Sequence, residues 1–366
     1  MELSEIIAQK ISMDGPISFC DYMEMCLYYP KLGYYSSAEN KTGLKGDYYT
    51  TPYLTSLFGK MIGRQLEEMW QIMKKKKFTI VEYGAGTGIL CYDILDYLKG
   101  NEELYEQVNY CIIEKSPEMR KTEQARLHEK VSWHDDIEDI PLVNGCILSN
   151  ELVDNFSVHQ VVMEDELFEV FVDYNNGFVE LLYPASQEIK EYLSEQKIKL
   201  KKGFRTEINL QAIEWIKGIA KNLETGFVLT IDYGFPSFDL YSNNRSLGTL
   251  LCYHKHEINH CPYINIGAQD ITAHVNFSAL HYWGLKNGLN YTGFTNQGQF
   301  LIALGLLDNL RKMEETMPDD FITDKKNIFL INALIRDMGR KLKVLIQHKG
   351  LHRPVLSGLM FPLQLM

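Results

Sequence analysis

The sequence predicts an α/β protein with a Rossmann-like sheet, and three observations support this fold class. Apolar runs rich in β-branched residues alternate with segments of helical periodicity between residues 78 and 233. A glycine-rich turn follows the first of these runs, at residues 84–88. Acidic residues follow the ends of successive runs. Strands that alternate with helices form a mostly parallel sheet covered on both faces.

The elements follow from this pattern in order along the chain. The predicted core strands are Phe78–Tyr83, Asn109–Glu114, Cys146–Asn150 and Phe227–Tyr233. The predicted helices between them lie at about 89–99, 116–129 and 208–223. Three more strands, with a turn at residues 175–177, predict a β-rich insertion beside the main sheet; they are Val158–Val162, Leu167–Asp173 and Phe178–Tyr183.

The domain organisation predicted from these elements has three parts. Residues 1–75 are expected to form an N-terminal helical or lid region. Residues 76–310 are expected to form the core, with the inserted meander near 159–205 and substrate loops at 234–275. Residues 311–366 are expected to form a C-terminal helical extension and tail.

The turn after the first strand has the chemistry of a nucleoside site. Segment Glu82–Gly88 joins a strand to a helix start, so backbone can approach a ligand closely and direct free N–H groups at it. The segment does not match the dinucleotide-binding fingerprint G-x-G-x-x-G, because Ile89 occupies the position of its last glycine. Glu82 would repel a pyrophosphate, and no Lys or Arg lies between Phe78 and Tyr97 to compensate. An ammonium and a sulfonium suit this acid, which favours S-adenosylmethionine (SAM).

Further acids follow the next predicted strands, where open α/β sheets bind their ligands. Glu114 closes the second strand and offers two acceptor oxygens for ribose hydroxyls. In the segment 133–136, Asp135 or Asp136 is expected to take the adenine amino group, with Trp133 as a stacking aromatic. Together with the Glu82 loop and a fourth feature that follows the next strand, these acids occur in order along the chain and predict one ligand site.

The fourth feature is the segment Ser149–Asp154, after the run Cys146–Leu148. Glu151 and Asp154 are three residues apart and would share a face on the first turn of a helix. Carboxylates can orient a guanidinium by bidentate pairing. We therefore expect Glu151 to be the primary acid that orients the acceptor, with Asp154 as its helper and Asn150 beside them.

Several longer segments make the chain resemble one family, the MidA family of class I SAM-dependent methyltransferases, which includes a mitochondrial complex I assembly-factor methyltransferase. The most specific segments are 46–52 (GDYYTTP), 150–156 (NELVDNF) and 270–277 (DITAHVNF). Shorter matches are Gly15–Ile17, Gly33–Tyr35, Phe58–Gly59, Glu82–Gly88, Ile231–Gly234 and Thr295–Leu301. One departure is Ala268, where the family usually has an acid.

The resemblance implies a class I methyltransferase fold, SAM as cofactor and an acceptor site at Asn150, Glu151 and Asp154. It implies a SAM site made by Glu82, Gly84, Ala85, Gly86, Gly88, Glu114, Asp135 and Asp136. In the mitochondrial relative, the implied reaction is symmetric dimethylation of a protein arginine. A protein side chain such as arginine is therefore the expected acceptor, with O- or N-methylation of a small molecule as an alternative.

Composition excludes several other classes of protein and ligand. The formal net charge of -11 disfavours a nucleic-acid or anionic-membrane partner. No apolar run approaches the roughly 18 residues that a membrane helix needs. Seven cysteines without a C-x-x-C motif indicate reduced thiols, and the early acids Glu2 and Glu5 do not resemble a targeting peptide. We therefore expect a cytoplasmic location, while the oligomeric state is not readable.

Other interpretations stay open at this point. A SAM-binding assembly factor with little turnover could use Asp232–Gly234 and the 234–275 loops as a partner surface. His159 could be a general base for a hydroxyl acceptor. The segment Cys252–Cys261 holds zinc-type ligands, but its spacing matches no familiar site, so no metal is expected. Segment 46–52 could close over the cofactor as a lid.

Overall fold

The computed structural model describes residues 1–37, 50–316 and 328–366. Its strands are β1 Ile17–Ser18, β2 Phe78–Tyr83, β3 Val108–Ile113, β4 Val131–His134, β5 Val143–Asn150, β6 His159–Met163, β7 Leu167–Tyr174, β8 Phe178–Pro184, β9 Phe204–Ile208, β10 Leu223–Phe235, β11 Leu251–His254, β12 Glu257–Asn259, β13 Asp270–Thr272, β14 Val275–Asn276, β15 Asn290–Asn296 and β16 Leu342–Lys349.

The helices alternate with these strands through the core. They are α1 Leu3–Asp14, α2 Phe19–Tyr28, α3 Thr51–Leu54, α4 Leu57–Ile72, α5 Ile89–Leu98, α6 Glu102–Gln107, α7 Pro117–Arg126, α8 Gln187–Glu195, α9 Leu210–Asn222, α10 Ser237–Leu240, α11 Phe277–Lys286, α12 Gln297–Ala303, α13 Leu306–Thr316 and α14 Met338–Lys341. A helical segment at 328–331 leads into a π-helical turn at Asn332–Asp337.

The main sheet has the strand order β15-β16-β10-β5-β2-β3-β4, so the fold is the Rossmann-like α/β fold that the sequence predicts. Strands β2, β3, β4, β5 and β10 are parallel, and β16 runs antiparallel between β10 and β15. The chain goes from β2 to β3 on one side and later returns to β5 on the other. This reversal makes the carboxyl ends of β2 and β5 the topological switch point, where such sheets bind ligands.

Two apolar layers cover the main sheet. One layer packs α4, α5, α12 and α13 against side chains such as Ile80 of β2 and Leu229 of β10. The other packs α9 and α11 against side chains such as Val81 and Val228, which alternate with the first set along the same strands. Burial on both faces explains why these strands are continuous apolar runs in the sequence.

A second sheet lies beside the main one and has the order β1-β7-β6-β9, with β8 at the edge of β7. The helices α1 and α2 pack on it through a third apolar cluster that includes Ile7, Tyr22 and Val170. A small sheet of β12, β11 and β13 forms within the 234–275 region. The N-terminal helices therefore rest on the insertion, and β1 pairs directly with β7.

Most local predictions agree with the structure, with shifts at element ends. The strand Phe78–Tyr83 and a helix beginning at Ile89 are found as predicted, and the meander is β6, β7 and β8. Two expectations differ. The region after residue 310 contributes β16 to the interior of the main sheet, because its apolar run Val344–Ile346 is buried between β10 and β15. The N-terminal region, expected to be helical or a lid, also supplies β1.

Candidate active site

The glycine loop between β2 and α5 has the backbone that its sequence requires. Gly84, Gly86 and Gly88 all have positive φ, and Gly88 is the N-cap of α5. A Cβ added at Gly86 would meet no atom of the described residues within 4 Å, so these residues leave open space beside the loop. The loop thus leaves room for a ligand beside the N-terminus of α5, where backbone N–H groups are unpaired.

Glu82 is buried under this loop rather than exposed to solvent. Its carboxylate accepts a hydrogen bond of 2.8 Å from the buried Tyr110 hydroxyl. Burial raises the pKa of Glu82 to about 7, and the Tyr110 bond opposes that rise. A cation that approached this carboxyl would favour its ionised form. Its predicted contact with the SAM ammonium stays a prediction.

Glu123 of α7 is a further buried acid in this region that sequence reasoning missed. It is fully buried, and its Oε2 accepts a 2.8 Å hydrogen bond from the Trp133 indole N–H. Its Oε1 has no hydrogen-bond partner within the described parts of the chain. Burial, reinforced by the nearby Glu114 and Glu82, raises its pKa to about 8. The aromatic expected to stack on adenine, Trp133, is therefore held by an acid.

Replacing Glu123 by Gln should remove a pH dependence of stability. The folded protein holds the Glu123 proton up to about pH 8, whereas the unfolded chain loses it near 4.5. Stability from this group is therefore lost as pH rises between those values. The Tm of the wild type should fall relative to Glu123→Gln by at least about 2 °C between pH 5 and pH 8. Parallel Tm curves would contradict this, and Glu118→Gln, an exposed change on α7, is the control.

Glu114 and the two aspartates lie on one edge of the site but have different surroundings. Glu114 follows β3, and its Oε1 accepts a 2.7 Å hydrogen bond from the Ser116 N–H. Burial raises its pKa. Asp135 is 82% exposed and pairs with Arg120 at 2.6 Å, and Arg120 also donates to the Glu114 carbonyl. Asp136 caps the short helix Ile137–Asp139. Their contacts with ribose and adenine stay predictions.

Glu151, directly after β5, adopts a strained conformation. Its φ is 50°, which a non-glycine residue adopts rarely, often at functional sites. Its Oε1 accepts hydrogen bonds from the Thr51 N–H at 3.2 Å and the Asn150 amide at 3.3 Å. Burial raises the pKa of Glu151 to about 8, and the nearby Asp232 carboxylate adds to the rise.

The expected helical first turn at Glu151 is wrong. A 3-10 turn starts at Val153 and spans Val153–Asn155, so Glu151 and Asp154 do not share an α-helical face. The turn forms because Asp232 of β10 accepts hydrogen bonds from the N–H groups of Leu152 and Val153, at 3.1 and 2.7 Å. A long-range acceptor therefore shapes this loop.

Asp154 and Asp232 are neighbouring carboxyls that are both buried. Burial raises the pKa of Asp154 well above its ordinary value, and the carboxylates of Asp232 and Asp270 add to this effect. Asp232 also accepts a hydrogen bond of 2.8 Å from the N–H of Tyr233, the next residue in β10. Burial raises the pKa of Asp232, and its hydrogen bonds from backbone N–H groups oppose that rise. Since Asp232 is completely buried, it does not contribute to a partner surface.

Two tyrosines from the N-terminal region complete this carboxyl cluster. Asp270 of β13 accepts hydrogen bonds from the Tyr35 hydroxyl at 2.9 Å and the Asn155 amide at 3.0 Å. The Tyr28 hydroxyl donates to the Asn155 carbonyl at 3.0 Å, and the rings of Tyr28 and Tyr35 stack. The cluster of Glu151, Asp154, Asp232 and Asp270 thus combines three distant parts of the chain.

The short helix α3 connects the carboxyl cluster with the glycine loop. Thr51 contacts Glu151, and the Tyr53 hydroxyl donates to the Thr87 hydroxyl at 2.9 Å. Thr51 belongs to the segment 46–52 predicted to be a lid, of which residues 46–49 lie outside the described residues, and Tyr53 directly follows that segment. The lid stays a prediction, but Thr51 within it contacts the carboxyl cluster.

Two other sequence features do not enter this site. His159 pairs with Glu169 on the second sheet. Within residues 1–37, 50–316 and 328–366, no group of three or more His, Cys, Asp or Glu side chains is arranged to hold a metal ion. In the same ranges, no helix is long and apolar enough to cross a membrane.

Comparison with known proteins identifies the family. Residues 61–295 match the family described as "Putative S-adenosyl-L-methionine-dependent methyltransferase". The chain belongs to this family. The matched range contains the glycine loop, Glu114 and the loop 150–155, so it includes most of the site described above. The expected family and the expected cofactor are confirmed.

Several named proteins align with nearly the whole length of this chain. A Caenorhabditis elegans protein named protein arginine methyltransferase NDUFAF7 homolog, mitochondrial, is 28% identical over 93% of this chain and 85% of its own length. Protein arginine methyltransferase NDUFAF7, mitochondrial, from Bos taurus is 25% identical over 94% of this chain and 83% of its own. These names correct the expected cytoplasmic location, because they point to mitochondria.

A solved structure supports the same assignment. A Burkholderia thailandensis protein, described as a "likely methyl transferase" and bound to S-adenosyl-homocysteine, shares 30% identity and a TM-score of 0.88. The alignment covers 98% of this chain and 95% of that protein. The protein is therefore a SAM-dependent methyltransferase enzyme with a Rossmann-like fold. The left-handed glycine loop with open space at Gly86, and the acceptor carboxylate of Glu114, fit SAM.

Proposed function

We propose that this methyltransferase transfers the methyl group of SAM to a guanidinium nitrogen of a protein arginine. The observation that supports this acceptor is the carboxyl cluster of Glu151, Asp154, Asp232 and Asp270 at the strand ends beside the glycine loop. Burying a carboxylate is costly, and a guanidinium offers five donors in a planar fork that match carboxylates. The arginine methyltransferase names of the relatives favour the same acceptor.

The cofactor half of the proposal uses residues on the ends of β2 and β3. Gly84, Ala85, Gly86 and Gly88, together with the Glu82 carboxyl, would hold the methionine part of SAM. Glu114 would hold the ribose through its hydroxyls, and Asp135 and Asp136 would hold the adenine. Bound SAM supplies an electrophilic sulfonium methyl group. The task of the protein is then to hold the attacking nitrogen in line with it.

In the acceptor half, Glu151 is the primary orienting carboxylate. In its ionised form it pairs with the guanidinium, and the Thr51 N–H and the Asn150 amide fix the position of its Oε1. Its raised pKa of about 8 also suits the proton that leaves the nitrogen when the N–C bond forms. Asp154 supports the pairing from the same loop, where its Oδ1 accepts no hydrogen bond from any described residue.

The proposed acceptor can be tested with lysate proteins and radiolabelled SAM. The purified enzyme is incubated with both, the proteins are hydrolysed in acid, and the labelled amino acids are separated. Label in methylated arginine is the expected result, because a guanidinium offers several donors to the carboxyls of the cluster. Label confined to small molecules or to other side chains would refute the arginine proposal. SAM binding without any label would instead favour an assembly factor.

A further inference from the structure

A basic cavity lies at the edge of the main sheet opposite the glycine loop. Its volume of about 580 Å³ is within the range of small-molecule pockets. Asn144 near the start of β5, Thr225 near the start of β10 and Gly350 directly after the antiparallel β16 line it. The cavity is therefore at the amino ends of the parallel strands. Strand β2 has six residues, so roughly 20 Å of sheet separates the cavity from the methyl-transfer site.

Three of four consecutive lysines give this cavity its charge. Lys74, Lys76 and Lys77 line it, and all three are exposed. None of them forms an ion pair with a residue that the structure describes. The fourth lysine, Lys75, pairs instead with Glu103 at 3.0 Å. No Asp or Glu is among the described residues that line the cavity, so its positive charge is not neutralised from within.

The backbone that carries these lysines has a strained conformation. At the end of α4, the N–H groups of Lys74 and Lys75 donate to the carbonyls of Gln71 and Trp70, both at 3.0 Å, which is a Schellman motif. Lys74 and Lys75 have φ values of 62° and 56°. Glycine is the usual residue at the first of these positions, because a Cβ is disfavoured there. A lysine at this position lowers stability relative to glycine, and such outliers often occur at functional sites.

The rest of the lining indicates what kind of anion would fit. The side chains of Ile72, Met73 and Leu351 give the cavity an apolar part. The Asn144 amide adds a polar group, and it donates to Glu224 at 2.6 Å. Lysine ammonium groups are compact charges that suit phosphate groups. Since the whole chain has a net charge of -11, this local excess of positive charge is unusual for the protein.

We propose that the basic cavity binds a small organic phosphate, at a site separate from those of the methyl donor and the acceptor. The ammonium groups of Lys74, Lys76 and Lys77 hold the phosphate groups. The apolar side chains at the end of α4 and after β16 contact the organic part of the ligand. The size and the concave shape of the site suit a small molecule better than an extended nucleic acid.

The test is a calorimetric titration of the full-length protein with uridine diphosphate and, separately, with inorganic pyrophosphate. Saturating S-adenosyl-homocysteine is present in both titrations, so that the nucleoside site of the methyl donor is occupied. Uridine diphosphate should bind with a Kd below about 1 mM, and pyrophosphate at least about 3-fold more weakly, because it lacks an apolar part. Absence of binding of both ligands at about 10 mM would overturn the proposal. Equal affinity for the two ligands would overturn the assignment to an organic phosphate.

Two pairs of lysine substitutions locate the binding. Lys76→Gln combined with Lys77→Gln should weaken the binding of uridine diphosphate at least about 10-fold, because two of the three charges are lost. Lys199→Gln combined with Lys201→Gln is the matched control, since both lysines are exposed in the lysine-rich connection between α8 and β9. It should leave the affinity unchanged. An equal loss in both double variants would show diffuse attraction to positive charge and contradict the proposal. SAM affinity should be that of the wild type in both.

The substitution Lys74→Gly separates ligand binding from stability. Glycine relieves the strain at the end of α4, so the Tm without ligand should rise by about 1 °C or more. The affinity for uridine diphosphate should nevertheless fall at least about 3-fold, because one ammonium group is lost. A rise in Tm with unchanged affinity would show that Lys74 does not hold the ligand and would contradict its place in the site.

Discussion

Replacing Glu151 by Gln should lower the kcat for methyl transfer by about 100-fold while the Kd for SAM stays the same. Gln keeps the size of the side chain and can still accept from Thr51 and Asn150. It loses the charge that pairs with the acceptor cation, and hydrogen bonds to charged groups contribute about 1.5–3 kcal/mol. A fall in kcat without a change in donor binding therefore locates the effect at the acceptor.

The measurement combines calorimetry for SAM with single-turnover methyl transfer. Glu188→Gln is the control, because Glu188 is an exposed glutamate in the first turn of α8. It should behave as wild type in both assays. Wild-type turnover by Glu151→Gln would remove Glu151 from the proposed mechanism, whereas a joint loss of SAM affinity would show that Glu151 acts through the cofactor half of the site.

The second large effect is expected at Gly86. Replacing Gly86 by Val should weaken SAM binding by at least about 100-fold, because a β-branched residue is strongly disfavoured at its φ of 59°. The added side chain would also project into the open space that the loop leaves for its ligand. Calorimetry measures the affinity, and circular dichroism checks that the fold persists.

Gly203 provides the matched control for Gly86. It also has a positive φ, 80°, and open space around an added Cβ, but it lies in the connection between α8 and β9. Gly203→Val should destabilise the protein by a comparable strain and leave SAM affinity unchanged. Equal loss of SAM affinity in both variants would mean that general strain, rather than the glycine loop, explains the effect.

The parts of the site that could be predicted depend on local sequence alone. The glycine loop is readable because each of its special backbone positions is a glycine next to an apolar run. Glu114 and Glu151 follow strands, and parallel strands end at the same edge of the sheet. Asp232 lies near the end of the predicted strand Phe227–Tyr233, and β10 is adjacent to β5 in the sheet. The same rule, an acid at the end of a strand, would therefore have predicted Asp232 as a site residue.

The remaining residues depend on contacts between distant segments. Asp270 lies in a loop-rich stretch, and only its bonds with Tyr35 and Asn155 bring it to the site. Glu123 stands in a polar helix, where a glutamate is usually solvated, and its burial follows from the packing of α7 near the glycine loop. The conformation of Glu151 could not be derived from its neighbours, because Asp232 shapes the loop that follows it.

The pH dependence of kcat/KM for the arginine acceptor tests the central claim, that an ionised carboxyl cluster holds the acceptor beside the methyl donor. The pKa of Glu151 is about 8 in the free protein, so its active, ionised form increases as pH rises towards that value. With wild type, kcat/KM should rise with pH between 6 and 8 and then level off, and the apparent pKa belongs to the coupled cluster. With Glu151→Gln the rise should be much smaller. A flat wild-type profile over this range, or an equal rise in both proteins, would contradict the account.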